Sequence, residues 1–141
     1  MSSGYRSLAR EALAAQREGR ARKAAQLYDR AVQAADPEDA PEDLDSTLGN
    51  LGSLLYDLGE LPQAEERLRQ GIRLAKRSGH GATEGALLRY LARVHRDQGR
   101  MKEALQELDR STRLLEAPAD AASILSTLLL TEEASERSGN F

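Results

Sequence analysis

The stretch 45–72, DSTLGNLGSLLYDLGELPQAEERLRQGI, decides the fold of this chain. Its apolar residues recur three and four apart, as Leu48, Leu51 and Leu55 and then as Leu61, Ala64, Leu68 and Ile72. That is the period of a helix rather than a strand. Gly59 separates the two runs. Glycine reaches positive φ without steric cost, so Gly59 reads as a left-handed C-cap. Pro62 follows at once and suits the first turn of a helix, where a missing N–H costs little. The stretch is therefore a helix, a tight turn and a second helix.

The same pattern recurs outward from this stretch. Glycine stands 40 residues to either side of Gly59, at Gly19 and Gly99, and again at Gly139. Eleven residues before each glycine is a leucine: Leu8, Leu48, Leu88 and Leu128. Two after each is an apolar residue: Ala21, Leu61, Met101 and Phe141. Five after the first three is alanine (Ala24, Ala64, Ala104), which fits a close crossing of antiparallel helices. Nine after is a large residue (Tyr28, Leu68, Leu108), and twelve after is a small one (Ala31, Gly71, Ser111). Five agreeing columns mark a repeated unit, and a unit of this length builds an α-solenoid. Helices are expected at about 4–18, 21–35, 42–58, 61–78, 82–98, 101–116 and 120–137. The joint at 36–45 carries six acids and two prolines; its acids favour the N-terminus of the helix that follows.

Composition agrees. The 141 residues are 40% hydrophobic, with one Phe and no Trp, as stacked helices with close backbones require. Charged residues make up 30% and the net charge is -3, too small to point to nucleic acid or an acidic substrate. There is no Cys, which excludes disulfides, thiolate zinc sites and a Cys nucleophile and fits a reducing compartment. The first twenty residues have no signal-peptide core, and no stretch reaches the roughly 18 apolar residues of a membrane span. The expected location is cytoplasmic, without membrane insertion.

This arrangement resembles the tetratricopeptide repeat, whose usual unit is about 34 residues long. The match is fullest at Leu48, Leu51, Gly52, Tyr56, Gly59, Leu61, Ala64, Leu68 and Ile72. Ala12 and Ala92 take the place of Gly52 in the outer repeats, and Tyr28 is the aromatic among Tyr28, Leu68 and Leu108. The longer unit, with Leu48-Gly49-Asn50-Leu51-Gly52 and the stretch 73–79, is similar to the repeats of Pins-type polarity adaptors and kinesin light chains. The resemblance implies an all-α, right-handed solenoid of seven helices in a single domain, 1–141. Its repeats fall at about 5–40, 45–80 and 85–120, and a capping helix at about 120–137.

The resemblance also implies that the first helix of each pair lines a concave groove. The faces concerned carry Arg6, Ala9, Arg10, Leu13, Gln16 and Arg17; then Ser46, Gly49, Asn50, Ser53, Tyr56 and Asp57; then Ala86, Arg89, Tyr90, Arg93, Arg96 and Asp97. Arginine binds carboxylates in a planar, bidentate way, asparagine pairs with peptide backbone, and tyrosine gives flat contact area. The expected peptide-binding residues are Arg10, Arg17, Asn50, Tyr56, Arg89, Tyr90, Arg93 and Arg96, and the expected ligand is an extended protein or peptide segment with acidic residues. The bland alternative is that these arginines are solvated and paired with Asp57, Asp97 and Glu133. A chaperone-tail clamp is not expected: Asn50 matches its pattern, but Ala9, Leu13, Ala86 and Tyr90 replace its other positions.

The residues hold no catalytic, metal or cofactor pattern. His80 sits in the turn Gly79-His80-Gly81 and reads as a solvated loop residue; His95 falls at an inter-helix packing position and reads as a satisfied, partly buried side chain. The turn is no phosphate loop, since it lacks the lysine and the preceding strand. Glu65-Glu66 and Glu132-Glu133 are adjacent on helices and point apart. Asp57, Asp97, Glu133 and Glu136 would interrupt a basic track for nucleic acid. The expected function is a non-catalytic adaptor without cofactors. Its rival is a self-assembling module that dimerises through its convex face or through the last helix with its adjacent Leu129 and Leu130, where Thr131, Glu132 and Ser135 turn polar as solenoid caps do.

Overall fold

The turn at each glycine is built the same way in the computed structural model, which describes residues 3–116. Gly19, Gly59 and Gly99 have φ of 79°, 78° and 78°. At the first turn the Gly19 N–H donates to the Gln16 carbonyl at 3.0 Å and the Arg20 N–H to that of Ala15 at 2.9 Å. Gly59 and Glu60 do the same toward Tyr56 and Leu55, and Gly99 and Arg100 toward Arg96 and His95. This paired pattern is a Schellman cap, and it needs the left-handed residue that glycine supplies. The carbonyl just after each glycine then opens the next helix: Arg20, Glu60 and Arg100 accept from the N–H of Ala24, Ala64 and Ala104. Stop and start signals thus share one three-residue turn.

Six helices result among the described residues: α1 (Ser3–Arg17), α2 (Ala21–Ala34), α3 (Leu44–Asp57), α4 (Leu61–Ser78), α5 (Gly81–Asp97) and α6 (Met101–Glu116). Each lies within two residues of its expected span. The described helices are six rather than the expected seven; the seventh, at 120–137, lies outside the described residues, with Leu129 and Leu130. The three alanines after the turns have no exposed surface, as the close helix crossing requires.

The chain divides into two compact units, one ending at Leu74 and one beginning at Ala75, so the division falls inside α4. In the first unit α2 packs on both α1 and α3. Its core takes Tyr5, Ala12, Ala24, Tyr28, Leu48, Leu51, Ala64 and Leu68. Helix α3 approaches α4 closely at Gly52, where a Cβ would lie 2.6 Å from Leu68 Cγ. In the second unit α5 packs on α6, with Ala92, Ala104 and Leu108 at the contact. Gly85 permits another close approach, since a Cβ there would lie 2.8 Å from Leu115 Cγ.

Among the described residues, the buried side-chain polar atoms are all partnered. The Tyr5 hydroxyl donates to Asp43 Oδ1 at 3.0 Å and shares a 2.6 Å hydrogen bond with Thr47 Oγ1, tying α1 to the start of α3. Burial pushes the Tyr5 phenol up to about 12, against the Thr47 hydrogen bond and helped by Asp43. The Ser111 hydroxyl donates to the Gly85 carbonyl at 2.8 Å, so a small polar residue fits where Ala31 and Gly71 stand in the other pairs. Arg110 reaches the buried Glu84 carboxylate at 2.7 Å.

Candidate peptide-binding surface

Helix α1 places Arg6, Arg10, Leu13 and Arg17 four, three and four residues apart, which keeps them on one face. All four are exposed, and Leu13, at 39%, is the one exposed large hydrophobic residue among the described residues. No carboxylate pairs with Arg6, Arg10 or Arg17 among the described residues. Several arginines of the second helices differ in this: Arg22 holds Glu60 at 3.0 Å, Arg69 holds Glu65 at 2.9 Å and Arg113 holds Asp109 at 2.8 Å. The α1 stripe is cationic with an aliphatic residue in its middle.

Of the two α3 candidates, Asn50 is exposed and Tyr56 half-buried. The Tyr28 hydroxyl of α2, which lies near Asn50, donates to Gln16 Oε1 of α1 at 3.0 Å. That bond joins α2 to α1. Burial raises the Tyr28 phenol above its ordinary value, while Asn50 and the nearby Arg17 charge pull it down.

In the second unit, α5 carries Arg89, Tyr90 and Arg93, all half-buried. The Arg93 guanidinium lies over the Tyr90 ring, 5.4 Å from its centroid. A cation held over an aromatic face keeps its outward N–H groups available. Arg96 is placed differently. Its side chain is 7% exposed and its Nε lies 3.2 Å from Asp97 Oδ1, which leaves it little surface to offer a ligand. For this residue the paired reading describes the geometry better than the groove reading.

Both histidines take structural places in the second unit. His95 is fully buried, and its Nδ1 lies 2.6 Å from Glu107 Oε1, the satisfied packing role expected of it. His80 is half-buried and directly precedes α5, where its carbonyl accepts from the Glu84 N–H at 2.9 Å. It stands in the turn as expected but is half-buried rather than solvated, because the tight turn at Gly79 delivers the chain straight into α5. No group of three or more metal-ligating side chains occurs among the described residues. No described helix is long and apolar enough to cross a membrane.

Two features of this surface escape a reading of the sequence. Leu13 stands in a groove position there, but its exposure depends on what packs around α1. The Tyr28–Gln16 hydrogen bond leaves no sequence signal, since its members are 12 residues apart on different helices.

No curated protein matches the chain. The family model for the tetratricopeptide repeat matches residues 6–77 and again 43–117. The two overlapping windows run from α1 to the end of α6, over the glycine turns and buried alanines described above, and the chain belongs to the tetratricopeptide repeat family.

Proposed function

We propose that the chain is a non-catalytic adaptor whose first helices hold an extended protein segment carrying acidic residues. Repeats of this family generally mediate protein–protein interaction and are not catalytic. The observation that carries the finer reading is the α1 stripe of Arg6, Arg10, Leu13 and Arg17, three unpaired cations around one exposed leucine. Unpaired guanidiniums give a carboxylate-bearing segment bidentate partners without first breaking an internal ion pair. Arg93 over Tyr90 supplies a comparable element on α5. In this reading Asn50, Tyr56 and Arg89 add contacts, the repeats form one cytoplasmic domain, and the long unit places it near the Pins-type and kinesin light chain repeats.

Selection of a random-peptide display library on the wild type tests this. Acidic sequences are expected to enrich, and to lose binding to Arg10→Glu/Arg17→Glu and to Arg89→Glu/Arg93→Glu while helicity and melting stay unchanged. Enrichment of sequences without acidic residues, or unchanged binding by both variants, would sink the reading. Sedimentation over a concentration range addresses the rival: a dimer that Leu129→Asp dissolves would support self-assembly through the last helix.

A further inference from the structure

In the first unit, the gap between α2 and α4 opens into a cleft of about 320 Å³. Its floor is aliphatic, lined by Leu51, Leu55 and Leu58. An ion pair closes each end. Arg22 of α2 meets Glu60, just before α4, at 3.0 Å, and Arg67 of α4 holds Asp29 of α2. Along each helix the two ends are two turns apart, about 10 Å at the helical rise.

The rim between these ends carries Gln26, Gln63 and Glu66. All three are exposed, and none has a hydrogen-bond or ion-pair partner among the described residues. The ion pairs neutralise the other charges of the lining, so Glu66 leaves the cleft with one negative charge. Each glutamine offers a donor and an acceptor, which is what a peptide bond needs. The volume lies at the low end of the roughly 300–1,000 Å³ of ligand pockets, enough for one or two aliphatic side chains. The closed ends exclude a long acyl chain.

We propose that this cleft is a second docking site, separate from the arginine stripe, for a protein segment that places a large aliphatic side chain beside a lysine or arginine. The aliphatic side chain covers the leucine floor, the two glutamines pair with the backbone of the segment, and the cation meets Glu66. The site therefore selects the charge opposite to that selected by α1.

The test is an NMR titration of the isotope-labelled full chain with three capped peptides: acetyl-Gly-Leu-Lys-Gly-amide, its charge-reversed form acetyl-Gly-Leu-Glu-Gly-amide, and acetyl-Gly-Ser-Lys-Gly-amide. The Leu-Lys peptide is expected to give saturable shifts at Leu55, Leu58, Gln63 and Glu66, and to bind at least about tenfold more tightly than the other two. Glu66→Lys should reverse the order of the Leu-Lys and Leu-Glu peptides. Leu58→Trp, which fills the cleft from a half-exposed position, should abolish the shifts without changing helicity. Arg10→Glu/Arg17→Glu should leave them unchanged, which separates this site from the adaptor surface. Equal binding of the Ser-Lys peptide, an order insensitive to Glu66→Lys, or shifts centred on α1 would overturn the proposal. So would self-association of the chain that Leu58→Trp abolishes, since the occupant would then be a second copy.

Discussion

His95 Nδ1 and Glu107 Oε1 lie 2.6 Å apart, joining α5 to α6 through an imidazole that has no exposed surface. The residue 40 positions earlier than His95 is Leu55, so a polar pair occupies a packing position that is aliphatic in the preceding repeat. Removing one partner strands a buried polar group, whereas replacing both with apolar groups of similar shape is close to neutral. Glu107→Ala is expected to destabilise the fold by about 1–3 kcal/mol. His95→Leu/Glu107→Leu should lose less than the sum of the two single changes. Urea denaturation of the four members of this cycle measures the coupling.

The glycine turns make a graded prediction. Gly59→Ala and Gly99→Ala force a Cβ into left-handed backbone at φ of 78°, although no atom lies within 4 Å of that Cβ. The cost is conformational, about 1–2 kcal/mol each. Gly59→Asn should cost less, because asparagine tolerates this region. Thermal melts of the three variants check the order.

Gly52→Ala tests packing against propensity. Alanine favours a helix over glycine by about 1 kcal/mol. At Gly52, however, the added methyl would lie 2.6 Å from Cγ of the fully buried Leu68. Overpacking of this kind costs about 1–3 kcal/mol, so a net loss of stability is expected. A gain would mean that α3 and α4 separate easily.

Tyr5 makes stability fall at high pH. Its phenol is raised by burial from 10.0 to about 12, so the folded state favours the neutral form. That contribution is complete below pH 10 and is lost as pH rises from 10 to 12. The loss is on the order of 2 kcal/mol. Tyr5→Phe gives up the hydrogen bonds to Asp43 and Thr47, at a cost of about 1 kcal/mol near neutral pH. It should also flatten the alkaline part of the profile. Chemical denaturation of both proteins across that range provides the measurement.

Much of the architecture was legible because its signals are local. Gly59, Pro62 and Ala64 act within a few residues of one turn, so their spacing in the chain carries their meaning directly. The candidate surface was legible in part. The helical period alone places Arg6, Arg10 and Arg17 on one face. It does not show that Arg96 lies against Asp97 under cover, or that Arg93 settles over Tyr90. Those outcomes depend on rotamers and on what neighbouring elements leave exposed.

The sequence by itself determined where helices stop and start, which residues cross closely and that thiol chemistry is absent, because these follow from backbone freedom, side-chain size and residue inventory. Only the tertiary structure decided which polar groups are spoken for. It tied Tyr28 to Gln16, closed the α2–α4 cleft with Arg22–Glu60 and Asp29–Arg67, and left Gln26, Gln63 and Glu66 open around a leucine floor. The physical reason is that these pairings join residues 12 to 38 positions apart on different elements. Their geometry is set by how helices pack rather than by any period within one helix.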